Sequence, residues 1–133
     1  MLRICFLLAV ICMISGSLYS CNQTKDKSEL SKLIKEDAVL VDVRSSEEFA
    51  EGSVDGAINI PVDVLQDNIE KFPADKPIIV FCKSGNRAEK ARKILEENNI
   101  LDVVNGGSWQ NVKKALDEAK TTVESGKNKE TME

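Results

Sequence analysis

The chain has 133 residues, 42% of them apolar and 30% charged, with a formal net charge of −4; this suits one globular domain with one core. The mildly acidic balance does not indicate a nucleic-acid-binding surface. The absence of histidine excludes Ser-His-Asp and Cys-His catalysis and the common histidine metal sites, so any chemistry falls to cysteine, carboxylates, cations or backbone amides.

The amino terminus reads as an address. Arg3 precedes an unbroken apolar run, Ile4 to Ile14, which is short for a bilayer span and has the length of a signal-peptide core. Leu18-Tyr19-Ser20-Cys21 follows and resembles a bacterial lipobox, although Tyr19 is bulkier than the small residue usual there. The resemblance implies cleavage before Cys21 and lipidation of that cysteine, the alternative being an ordinary secretory signal with a chance cysteine. The expected organisation is a signal over 1–20, a polar tether over 21–28, a domain over 29–120 and a disordered polar tail over 121–133. The expected location is the bacterial cell envelope, lipid-anchored and facing the periplasm. Cys5 and Cys12 leave with the signal and Cys21 is acylated, so Cys82 is the one free thiol of the mature chain. An internal disulfide, a four-cysteine zinc site and a Cys-x-x-Cys redox pair are thereby excluded.

Within the domain, Ser28 is placed to cap a helix from Glu29 to Lys35, with Leu30, Leu33 and Ile34 on one face. Ala38 to Val43 is a nearly continuous apolar run, the pattern of a strand covered on both sides. Ser45-Ser46-Glu47-Glu48 has the spacing of a capping box and opens a short helix through Phe49 and Ala50. Gly52 to Gly56 is a turn, and Ala57 to Ile60 a short strand stopped by Pro61. Val64, Leu65, Ile69 and Phe72 predict a helix from about Asp63 to Glu70. Ile78 to Cys82 is a buried strand, and a helix from about Asn86 to Asn98 puts Ala88, Ala91, Ile94 and Leu95 on one face. Leu101 to Val104 is a further strand, Asn105-Gly106-Gly107 a sharp turn with positive φ at a glycine, and Ser108 a cap for a last helix, Trp109 to about Lys120. Alternating strands and helices predict an α/β fold with a mainly parallel central sheet and helices on both faces. In such sheets the site lies at the carboxyl ends of the strands, where Cys82, Asp42 to Arg44 and Asn105 to Gly107 all fall.

A thiol between a buried strand and a helix amino terminus meets unpaired backbone N–H groups and the positive end of the helix dipole. Both favour thiolate over thiol, and Lys83 and Arg87 add positive charge. The same amides make an anion-binding nest. The bland alternative is a structural buried thiol, which the polar, glycine-containing loop argues against. Asp42 and Arg44 read more readily as loop braces than as groups that tune the site, and Trp109 more readily as a core anchor than as a substrate contact.

Cys82-Lys83-Ser84-Gly85-Asn86-Arg87 resembles the Cys-x-x-Gly-x-Arg loop of the rhodanese family. Val41-Asp42-Val43-Arg44, Glu48-Phe49 through Gly56-Ala57-Ile58-Asn59-Ile60-Pro61, and Asn105-Gly106-Gly107 with Trp109 resemble three further motifs of that family, in the same order. The resemblance covers roughly Glu29 to Lys120 and is nearest to the small, exported, single-domain type, with a three-layer rhodanese-like domain. It implies a sulfurtransferase without cofactor or metal, acting as a monomer. Cys82 takes sulfane sulfur from a donor such as thiosulfate or a persulfide, and an external thiol or cyanide removes it. Lys83, Ser84, Gly85, Asn86 and Arg87 form the substrate-binding loop, and Asp42 and Arg44 support it. The chain departs from the family pattern in the Gly52 to Ala57 turn and in the Cys82 loop. Ser53 stands where a histidine is frequent, and Ser84 stands where some thiosulfate-using members carry a cation. The other classes are a phosphatase or arsenate reductase, whose related loops are one residue longer, and a non-catalytic binding module, which often lacks the cysteine.

Overall fold

The computed structural model describes residues 25–130. The predicted signal, Cys21 and the first residues of the tether lie outside the described residues, as do 131–133 at the other end. Helix α1 spans Lys27–Lys35, strand β1 Val39–Asp42, helix α2 Ser46–Glu51 and strand β2 Ile58–Asn59. A 3₁₀ segment covers Val62–Lys71, followed by β3 Ile78–Cys82, α3 Asn86–Glu97, β4 Val103–Ser108 and α4 Trp109–Glu130. The strands form one parallel sheet in the order β2-β1-β3-β4.

Side chains alternate across this sheet, and both faces are covered. Ile78, Val80 and Cys82 of β3 pack with Val41, Leu65, Ala88, Ala91 and Leu95, under the 3₁₀ segment and α3. Ile79 and Phe81 of the same strand pack with Leu30, Leu40, Val112 and Ala115, under α1 and α4. The small Ala88 and Ala91, both fully buried, bring the first turns of α3 close to the sheet, which puts its amino terminus beside Cys82.

Four boundaries differ from the sequence expectation. Ser28 lies inside α1; the cap position belongs to Asp26, whose side chain makes no cap bond. The segment after Pro61 forms 3₁₀ turns with a kink at Asn68. The last strand begins later and takes in Asn105-Gly106-Gly107, which was expected to turn. Gly106 is strand because the backbone there must approach its neighbours: a Cβ would stand 2.7 Å from Val112 Cγ2 and 2.8 Å from Ile79 Cγ2. The expected sharp feature survives as a bulge, since Val80 pairs with Asn105 but Cys82 pairs with Ser108. Finally, α4 continues to Glu130 in place of a tail disordered from Thr121. Ala119 is buried, and the Thr121 and Thr122 hydroxyls donate to the carbonyls of Asp117 and Glu118, so neither threonine breaks the helix.

Candidate active site

Cys82 ends β3 with 1% of its surface exposed. It is the free cysteine of the described residues. The chain then turns through Lys83 and Ser84, both exposed, into Gly85, the N-cap of α3. Gly85 adopts φ 97° and ψ −13°, a left-handed conformation that residues with a Cβ rarely accept. This conformation aims the Gly85 N–H back at the cysteine, and it donates to Sγ at 3.0 Å. An α-helix of 12 residues stands behind the loop, so its unpaired first N–H groups and positive dipole end face the same space.

Arg87 turns to α2. Its Nη1 donates to Glu48 Oε2 at 2.6 Å and its Nη2 to Glu48 Oε1 at 3.0 Å. Glu48 also accepts the Ser45 backbone N–H at 3.1 Å while Ser45 Oγ accepts the Glu48 N–H, closing the expected capping box. The Arg87 guanidinium first, and the Ser45 N–H second, hold the Glu48 carboxyl down at about 2. Arg87 is therefore a brace between the loop and α2. Among the described residues Lys83 makes no salt bridge, whereas Arg87 does.

A second brace lies beneath. Arg44, 5% exposed, and Asp42, fully buried, pair through Nε to Oδ1 at 3.0 Å and Nη2 to Oδ2 at 2.6 Å. Arg44 Nη2 also donates to the Gly52 carbonyl at 2.7 Å, and Ser53 Oγ donates to Asp42 Oδ2 at 2.6 Å. Ser53, which stands where the family pattern often has a histidine, thus completes the Asp42 contacts. Asn59 Nδ2 donates to the carbonyls of both Asp42 and Arg44, tying in β2. The Arg44 guanidinium lies 5.2 Å from the Trp109 ring centroid, within cation–π range. Trp109 packs against the core and also lines a cavity of about 330 Å³ with Lys83, Arg44, Glu48 and Gln110. Asn86 is exposed at the first position of α3.

For two residues of this arrangement the sequence shows the place but not the partner. Glu48 shows only its local capping role there; its partner is 39 positions away. Asn105 looks like a turn residue, yet it is 2% exposed and bonds to the loop. No group of three or more cysteine or carboxylate side chains that could hold a metal ion occurs among the described residues.

The Rhodanese-like domain family model matches residues 26–115. A protein named sulfurtransferase from Allochromatium vinosum is 29% identical over 82 residues, 60% of this chain and 77% of that protein. A solved structure described as rhodanese with anions, from E. coli, is 29% identical with a TM-score of 0.52, covering 56% of this chain and 89% of that one. The human single-domain sulfurtransferase TSTD1 is 30% identical with a TM-score of 0.56, covering 66% of this chain and 92% of that one.

Proposed function

Because this chain belongs to the rhodanese-like domain family and is a sulfurtransferase-type enzyme, we propose that Cys82 carries sulfane sulfur as a persulfide from an anionic donor such as thiosulfate to an external nucleophile. The observation that carries this reading is the Cys82 sulfur held by the Gly85 N–H at 3.0 Å in front of the α3 amino terminus. The thiolate is the nucleophilic form of cysteine, and with no histidine in the chain these amides and the loop cation Lys83 are its local support. The Cys82 sulfur attacks the outer sulfur of thiosulfate. A bond from Sγ to that sulfur forms, the sulfur–sulfur bond of the donor breaks, and its electron pair leaves with sulfite. The persulfide anion remains in the nest of loop amides. Cyanide or a thiolate then attacks the terminal sulfur, and the Sγ–S electron pair returns to Cys82, a two-step covalent cycle.

The division of labour among the cations follows the geometry. Arg87 is held by Glu48, so Lys83 is the cation left to meet the donor. The E. coli relative is described as a rhodanese with anions, which is in keeping with an anionic donor. The span from Cys82 to Arg87 is six residues, the sulfurtransferase length, which favours sulfur over phosphorus. Thiocyanate formation from thiosulfate and cyanide, lost in Cys82→Ser, tests the cycle. Aryl phosphate hydrolysis without thiocyanate formation would contradict it.

We also propose that Cys21 is lipidated and holds the domain at a bacterial envelope membrane, because an apolar run of signal length ends in Leu-x-Ser-Cys. No helix among the described residues is long and apolar enough to cross a membrane. Expression in a bacterial host with detergent fractionation tests the anchor. Wild type is expected in the detergent phase and Cys21→Ser in the aqueous phase; equal partition would overturn it.

A further inference from the structure

Asn105 is a junction. It sits on β4 beside the bulge, its side chain turned toward α3, and every polar atom of that side chain is used. Its Oδ1 accepts the Gly107 N–H at 2.9 Å, which fixes which end of the amide is which. Its Nδ2 therefore faces the Cys82 loop, donating to the Gly85 carbonyl at 3.0 Å and to Glu89 Oε2 at 3.3 Å. Its own backbone carbonyl accepts the Lys25 N–H at 3.1 Å.

The Gly85 carbonyl already accepts the first bond of α3, from the Glu89 N–H at 2.9 Å. Asn105 supplies the second, from a different strand. The two bonds hold the Gly85 carbonyl, and thereby the left-handed Gly85 on whose other side the N–H meets Cys82 Sγ. Three elements converge here, since β4 carries the amide, α3 carries Glu89, and the loop carries Gly85. Glu89 is itself fixed by Arg92, which donates to it from Nη2 at 2.7 Å and Nε at 3.1 Å. The same Asn105 amide closes the bulge through Gly107, and that bulge brings Ser108 opposite Cys82.

We propose that Asn105 is a positioning residue for the Cys82 nucleophile, acting through Gly85 and the register of the bulge. This rests on the reading of Cys82 as the reacting group. The charge-changing but isosteric Asn105→Asp turns the donor into an acceptor that faces a carbonyl and a carboxylate. Gly85 then loses its second bond and its neighbour repels the loop.

The test compares wild type, Asn105→Asp, Asn105→Ser and Leu116→Ala, each at matched folded fraction from circular dichroism. Leu116 packs on the opposite sheet face and reports plain destabilisation. The first readout is the pH profile of Cys82 alkylation by iodoacetamide. The second is the rate of sulfur loading from thiosulfate. Both Asn105 variants are expected to alkylate with a shifted pH profile and a rate changed about three- to tenfold, the effect of one hydrogen bond on a buried site. Loading is expected to fall by about 10- to 100-fold, as for a small misplacement of reacting atoms. Leu116→Ala is expected to match wild type on both. Wild-type alkylation and loading in both Asn105 variants would overturn the proposal. If Asn105→Asp does not fold, Asn105→Ser decides. If wild type takes up no sulfur but the alkylation profiles still diverge, the sulfurtransferase reading fails and the positioning role stands.

Discussion

Arg87 and Glu48 meet through two parallel hydrogen bonds, at 2.6 Å and 3.0 Å, across 39 positions of sequence. The contact ties the far end of the Cys82 loop to α2, and it makes one carboxyl serve two purposes. Glu48 caps its own helix at Ser45 and neutralises the loop arginine. The loop thus has one of its two cations, Arg87, committed to an ion pair, while the other, Lys83, is exposed and lines the neighbouring cavity.

A pH dependence follows from Glu48. Its carboxyl falls from 4.5 to about 2 in the fold, chiefly through Arg87. A depressed acid stabilises the folded state above its unfolded value and loses that contribution as pH falls through the folded value. Wild type is therefore expected to exceed Glu48→Gln in stability at pH 7, by on the order of 1 kcal/mol for a half-exposed pair. The difference is expected to vanish between about 4.5 and about 2. Urea melts of both proteins across that range measure it, and a constant difference would contradict the assignment.

The Asp42–Arg44 pair gives a larger effect. Both side chains are buried, and removing one partner leaves an uncompensated charge inside the fold. Asp42→Ala is expected to cost about 3–5 kcal/mol, and thermal or urea unfolding checks this. A cost under about 1 kcal/mol would mean that Arg44 finds water or another acceptor.

Lys83 is exposed and lines the cavity beside Trp109, so its substitution tests binding with little penalty to the fold. Lys83→Ala is expected to raise KM for thiosulfate about three- to tenfold, the size of one partly screened charge contact. The effect should shrink as salt is added. Steady-state kinetics at low and high ionic strength measure this; an unchanged KM with reduced kcat would instead assign Lys83 to the chemical step.

Much of the fold is legible in the sequence because its signals are local. Ile78 to Cys82 reads as a buried strand because apolar side chains occupy both faces. Ser45 and Glu48 announce a helix start by spacing alone, and the Cys82 loop shows its glycine and cations in one short run. The last strand is misread because Asn105-Gly106-Gly107 carries turn residues for a tertiary reason: Gly106 makes room for Val112 and Ile79, and Asn105 reaches the loop. Local composition cannot distinguish such a strand from a turn. The continuation of α4 to Glu130 is hidden for a related reason, since a polar helix shows little apolar period. The bonds from Glu48 to Arg87 and from Asn105 to Gly85 join residues 39 and 20 positions apart, and only the assembled sheet brings them together.

Cys82 as the carrier of the sulfur is open to a direct measurement. Intact mass of the purified protein after incubation with thiosulfate tests it most directly. A gain of one sulfur atom is expected, reversed by cyanide and absent in Cys82→Ser. An unchanged mass with thiosulfate and with every other sulfane donor supplied would contradict it.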